Sequence, residues 1–253
     1  MLVGLRVVSD TRTGAGGEGI RAIMRRALTL YRSRFRLYVA LVAVPVVPVG
    51  IALAALAGAS PDPAGQQQKI LGIDLAAELL LVMPICTAFV AYAVVGQIAG
   101  RASTLSETLR AVLPRSSILV GTVILSAIAT LAGLVALVLP FFVMLIWFQF
   151  VGQVVILEGA SYLDALRRCR ALVRGVWWRT FGWVLAINLV SGVAGILLSA
   201  VVSGLLQPKD ASERSKLVVP LVANIPSSIL VLPFSTIALT LVYLRLRERT
   251  PAP

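Results

Sequence analysis

The feature that most constrains this chain is charge-free length. Residues 79–100, 116–139, 180–207 and 217–244 each run without a single Asp, Glu, Lys or Arg. Each matches or exceeds the ~18–20 apolar residues that carry a helix across a hydrocarbon core of ~30 Å. Apolar residues make up 58% of the 253 and charged residues only 13%, against about 45–50% and 25% in soluble domains. The expected fold is an all-α polytopic membrane protein, one six-span domain over residues 18–246 between short tails at 1–17 and 247–253. The spans fall at about residues 38–57, 75–99, 116–139, 141–157, 177–206 and 217–244. Pro140 separates the third from the fourth, and Ser60 to Gln68 reads as a polar loop.

Between the spans a second pattern recurs. From Ser161 to Arg174 the apolar residues are Tyr162, Ala165, Leu166, Cys169, Leu172 and Val173, on one helical face, with Asp164, Arg167, Arg168 and Arg174 off it. Residues 20–36 repeat this arrangement, with Ile20, Ile23, Met24, Ala27, Leu28, Tyr31 and Phe35 opposite Arg21, Arg25, Arg32 and Arg36. Residues 101–115 hold a third such segment. Thr104–Glu107 has the spacing of a capping box and Ser161–Asp164 resembles one. Three basic amphipathic helices are therefore expected flat against the membrane interface. Glu18, Glu107 and Asp164, each followed three residues later by Arg, mark a weak internal repeat.

Orientation follows from the cations. Of 23 Lys and Arg, the segment before the first span carries eight, 101–115 three, 158–179 five and the C-terminal stretch three. The remaining loops carry only Lys69, Lys209, Arg214 and Lys216. Positive residues stay cytoplasmic, so both termini are expected in the cytoplasm of a cell (inner) membrane. The net charge of +12 is then a topological signal and not one for nucleic acid. The expected partners are the bilayer, anionic head groups, and a cytoplasmic or membrane protein. No cleaved signal peptide is expected, since residues 1–8 are too short for its apolar region.

The chain has no histidine. That excludes Ser-His-Asp and Cys-His nucleophile systems and the usual zinc sites. Cys86 and Cys169 have no metal-ligand spacing. No cofactor and no catalytic site are expected. The polar residues of the spans read in two ways. Glu78 is either an interfacial acid one turn from Asp74 or a buried functional carboxylate. Gln149, Gln153, Asn188 and Asn224 either line a polar cavity or bond between helices. Ser191, Gly195, Ser199 and Ser203 in the fifth span, and Gly96 and Gly100 in the second, have the four-residue spacing of close helix packing. Glu158 either holds an arginine among Arg167, Arg168 and Arg179 or is a solvated charge. Trp177, Trp178 and Trp183 read as interface anchors, and Arg167, Arg168, Arg174 and Arg179 as head-group contacts.

The quoted motifs also carry a family resemblance. They are Pro140, Trp147, Val154-Val155-Ile156-Leu157-Glu158-Gly159, Ala165-Leu166-Arg167-Arg168-Cys169 and Trp177-Trp178-Arg179, with Met83-Pro84 through Leu113 before them. Together they resemble the membrane domain of some glycerophosphoryl diester phosphodiesterases. Phe141 and Cys169 stand where that family commonly has glycine and serine. The resemblance implies a six-span membrane module without the catalytic domain from which the family takes its name. Two functions follow as expectations: a bundle that organises or senses the membrane through its basic helices, or a transporter or channel for a lipid or small solute.

Overall fold

A computed structural model describes residues 17–59, 63–101, 103–136, 138–207 and 212–250. Among these the fold is helical throughout, with no strand. Five helical stretches are long and apolar enough to cross a membrane: Phe35–Ala59, Gly65–Ile98, Leu105–Leu131, Trp177–Leu206 and Arg214–Arg249.

The helices are α1 (Gly17–Ser33), α2 (Phe35–Ala59), α3 (Pro63–Ala77), α4 (Met83–Ile98), α5 (Leu105–Val112), α6 (Ser116–Ala136), α7 (Val138–Phe148), α8 (Val151–Leu157), α9 (Tyr162–Val173), α10 (Trp177–Leu206) and α11 (Glu213–Arg249). A π-helical turn, Glu78–Val82, joins α3 to α4. Long α11 is the axis of the bundle. Its second half is enclosed by its neighbours, with Ile237, Ala238, Thr240, Val242 and Tyr243 fully buried.

Several boundaries differ from expectation. The residues of the polar loop that fall after 62 are helical, because α3 begins at Pro63, a residue suited to a first helical turn. The expected C-terminal tail begins as helix, since α11 runs to Arg249. Most of the expected N-terminal tail lies outside the described residues. The third apolar stretch is α6 and the fourth begins with α7; residue 137 between them lies outside the described residues, and Pro140 lies within α7. The fourth stretch is no single long helix. It divides at Gln149 and Phe150 into α7 and α8.

The amphipathic segments also sit differently. The inner faces of α1 (Ile23, Ala27) and α9 (Ala165, Leu166, Cys169, Leu172, Val173) belong to the protein core. Their apolar stripes cover protein, not lipid. What remains outside is a rim: Leu28, Phe35, Leu113, Tyr162, Leu163 and Trp178 are all exposed. The Tyr31 hydroxyl fixes α1 to α11 by donating to the Leu230 carbonyl at 2.9 Å.

One capping box forms and the other does not. Thr104 Oγ1 accepts from the Glu107 N–H, and the Glu107 carboxylate accepts from the Thr104 N–H at 3.0 Å. Ser161 makes no side-chain cap. Asp164 faces Arg167 at 3.7 Å instead, on an open surface. The next residue, Tyr162, takes φ 45° and donates its N–H to Thr122 Oγ1.

The four-residue spacings of small residues are not where the helices approach most closely. In α10, Ser191 is buried, but Gly195, Ser199 and Ser203 are only half-buried, and a Cβ at Gly195 would meet nothing within 4 Å. Gly96 and Gly100 do not pack helices together. Gly100 lies beyond the end of α4 with φ 73°, and Gly96 abuts Ser103 Oγ of the following loop. The approach that requires glycine is elsewhere: a Cβ at Gly50 of α2 would lie 2.6 Å from Ile225 Cγ1 of α11.

Candidate functional site

Two polar sites occupy opposite halves of α11. The first gathers at the end where α4, α8 and α11 all finish. Glu158 closes α8 and is largely buried. Its Oε2 accepts from Arg168 Nε at 2.7 Å, and its Oε1 accepts from the Tyr243 hydroxyl at 2.7 Å. Arg247 Nε stands 3.7 Å from the same Oε1. Arg168 Nη2 also donates to the Thr250 carbonyl at 2.7 Å.

Arg168 belongs to the polar side of its helix by spacing, yet it is only 9% exposed. A buried guanidinium needs its charge and its donors met, and Glu158 and Thr250 meet them. Glu158 thus chooses Arg168 among the expected partners. Arg167 pairs with Asp164 on the surface. Arg179 lies over the Trp183 ring at 4.6 Å, and Arg170 over Trp147 at 4.8 Å. Arg174 is exposed.

The site links α8, α9 and α11 and carries no free nucleophile. Cys169, on the same helix as Arg168, is buried. Burial, and then the nearby Glu158 charge, push its thiol well above the ordinary range. The tryptophans divide as well. Trp178 is 78% exposed, while Trp183 is buried and is no anchor. Trp177 stacks on Phe181 at 5.3 Å, and its Nε1 is buried without a partner among the described residues.

The second site is a small cleft of about 30 Å³ between α2, α3 and α11. Asp74, Glu78, Asn224 and Ser228 supply its polar lining, and Val46, Gly50 and Ile225 part of its apolar wall. Glu78 opens the π-helical turn, a departure that often accompanies function. α2 and α11 carry Pro45, Pro48, Pro220 and Pro226 in the same region. Asn224 and Tyr243 lie nineteen residues apart on α11, or about 28 Å along a helix.

The expected polar set therefore does not converge. Glu78 and Asn224 meet in the cleft. Asn188 is exposed and donates back to the Val184 carbonyl of its own helix. Gln149 sits in the α7–α8 break. Gln153 is completely buried, and neither side-chain atom has a partner among the described residues.

Tyr243, Arg247 and Thr250 were not legible as site residues, because each reads as an ordinary end of the last span. Ser228 was equally silent. Asp74 carried a faint signal, one helical turn before Glu78.

A family model matches residues 73–246, well over half of the 253. The chain belongs to the family described as Domain of unknown function (DUF7847). In this DUF7847 chain the match takes in Asp74, Glu78, Glu158, Arg168, Asn224 and Tyr243. It stops one residue before Arg247, and it omits α1 and α2. The family description states no activity and no link to a phosphodiesterase-associated membrane domain. No curated protein and no solved structure shows significant similarity to the chain.

Proposed function

We propose that this DUF7847 protein is a six-span, non-catalytic component of the cell membrane that organises or senses the bilayer through one arginine-rich cytoplasmic end. In this reading α7 and α8 together make the sixth crossing. α1, α5 and α9 form a collar at the cytoplasmic end, with both termini on that side. The phosphodiesterase-type resemblance fits this module and carries no activity to it.

One observation supports the reading above the others. The collar uses Arg168 to lock itself, and leaves Arg21, Arg25, Arg32, Arg36, Arg110 and Arg174 exposed beside the apolar rim. Each such cation near an anionic leaflet contributes about 1 kcal/mol of attraction. Rim residues such as Phe35 and Trp178 suit the head-group layer. The lipid contacts are thus carried by Arg167, Arg174, Trp178 and the α1 arginines, not by Arg168.

The test is reconstitution with mixed phosphatidylglycerol and phosphatidylcholine. The expected result is phosphatidylglycerol enriched around the protein, with no lipid scrambling or solute flux above empty vesicles. No enrichment overturns the reading.

The cleft at Glu78 favours a second reading, transport of a lipid or small solute along proline-bent α2 and α11. It predicts a flux that Glu78→Gln abolishes.

A further inference from the structure

The junction of α1 and α2 carries a groove rich in arginine. Arg32, Arg34 and Arg36 line an open groove of about 470 Å³ with Phe35, Leu37 and Ser103. The floor is tied down. Ser33 Oγ accepts from Gln97 Nε2 at 2.8 Å, and Gln97 Oε1 accepts from the Tyr38 hydroxyl at 2.7 Å. Arg34 Nη1 donates to the Ser103 carbonyl at 3.4 Å, bracing the loop after α4.

Arg32 and Arg36 are different. They stand four residues apart and exposed, and no carboxylate among the described residues pairs with either. Two guanidiniums over one groove present fork-shaped donors matched to phosphate oxygens.

We propose that this groove binds the phosphate of an anionic phospholipid, with Arg32 and Arg36 on the head group. Phe35, 42% exposed between them, and Leu37 decide for a lipid over a soluble phosphate. They offer apolar surface where an acyl chain would begin. The groove also opens at the first turn of α2, a 25-residue apolar helix, the level at which head groups would lie. The inference rests on the proposed membrane reading and adds a defined site to it, outside the 73–246 family match.

The test is lipid retention by the purified full chain in detergent, read by native mass spectrometry during titration with phosphatidylglycerol or phosphatidylcholine. The wild type is expected to hold one phosphatidylglycerol at least tenfold more tightly than phosphatidylcholine. R32Q/R36Q is expected to lose that tenfold preference, while R167Q/R174Q keeps it. R32K/R36K, which preserves charge but not the fork, should fall between. Phe35→Glu offers a check that leaves both arginines in place, and is expected to lose the same lipid. A circular-dichroism melt confirms that each variant is folded.

Unchanged preference in R32Q/R36Q and Phe35→Glu overturns the groove while leaving the general membrane reading intact. Absence of any phosphatidylglycerol preference in the wild type overturns both. Complete displacement of the lipid by about 1 mM inorganic phosphate, the upper end of ordinary substrate levels, with Phe35→Glu without effect on lipid, assigns the groove to soluble phosphate and overturns the proposal.

Discussion

The Tyr243 hydroxyl reaches Glu158 at 2.7 Å across 85 residues of sequence, and the same carboxylate holds Arg168 at 2.7 Å. One acid thus ties the exit of α8 to α9 and to the last turns of α11. Removing one member of a buried ion pair strands the other charge. Arg168→Gln should therefore destabilise the fold by about 3–5 kcal/mol. Tyr243→Phe, which removes a hydrogen bond to a charged group, should cost about 1.5–3 kcal/mol. Arg167→Gln, whose partner pair is open to solvent, should change nothing measurable. Unfolding in graded denaturing detergent orders the three.

The two candidate caps give a contrast within one chain. Thr104→Ala breaks a formed capping box and should cost about 1 kcal/mol. Ser161→Ala removes a hydroxyl that caps nothing and should be close to neutral. Thermal melts of the two variants check this; equal losses would contradict the cap geometry.

How much of this was readable in advance depended on range. Apolar length is a local signal, and the span Trp177–Leu206 has the observed limits of α10. Thr104–Glu107 is also local, and it forms. The long-range choices were not legible. Spacing put Arg168 with the solvated arginines, because a helical wheel records only which face a residue shares. It cannot report that a carboxylate from α8 and a carbonyl from the end of α11 wait on that side. The stripes of α1 and α9 were read as lipid-facing for the same reason. An apolar face needs a cover, and periodicity does not say whether the cover is acyl chain or protein. Gly96 and Gly100 had a packing spacing, but helix α4 ends before the second of them. The cleft was half legible. Glu78 and Asn224 both stood out as polar in apolar surroundings, yet Gln149, Gln153 and Asn188 stood out equally and go elsewhere.

Gly50 should be the least replaceable glycine of α2. An added Cβ would lie 2.6 Å from Ile225 Cγ1, closer than side chains tolerate. Gly50→Ala should cost about 1–3 kcal/mol by overpacking. G50A/I225A should recover part of the loss. Gly58→Ala, where nothing lies within 4 Å, serves as the control. The comparison is made on detergent-unfolding midpoints.

Cys169 gives the pH-dependent prediction. Its thiol is buried and its pKa is raised above the ordinary 9.0. The folded state therefore keeps its proton at pH values where the unfolded state has lost it. Stability contributed by this group is complete below about pH 9 and falls as pH rises beyond it. Maleimide labelling at Cys169 should stay negligible in the native protein from pH 7 to 9, on a scale where free thiols reach half-ionisation near 8.5. It should become rapid on unfolding. Mass spectrometry of the labelled peptide checks it, and fast native labelling would contradict the packing of α9.

Gln153 tests how dry and close-packed the bundle is around α8. It is fully buried in α8 with both side-chain atoms unpartnered among the described residues. A buried polar group without a partner costs about 1–3 kcal/mol. Leucine is close to it in size and needs no partner. If the bundle is close-packed and non-transporting, Gln153→Leu should raise the unfolding midpoint and leave vesicle permeability unchanged. If instead Gln153 serves a path for solute, the same variant should alter flux. Measured side by side in detergent and in liposomes, a stabilised variant with unaltered flux supports a dry, close-packed core at α8, and altered flux places Gln153 on a solute path separate from the Glu78 cleft.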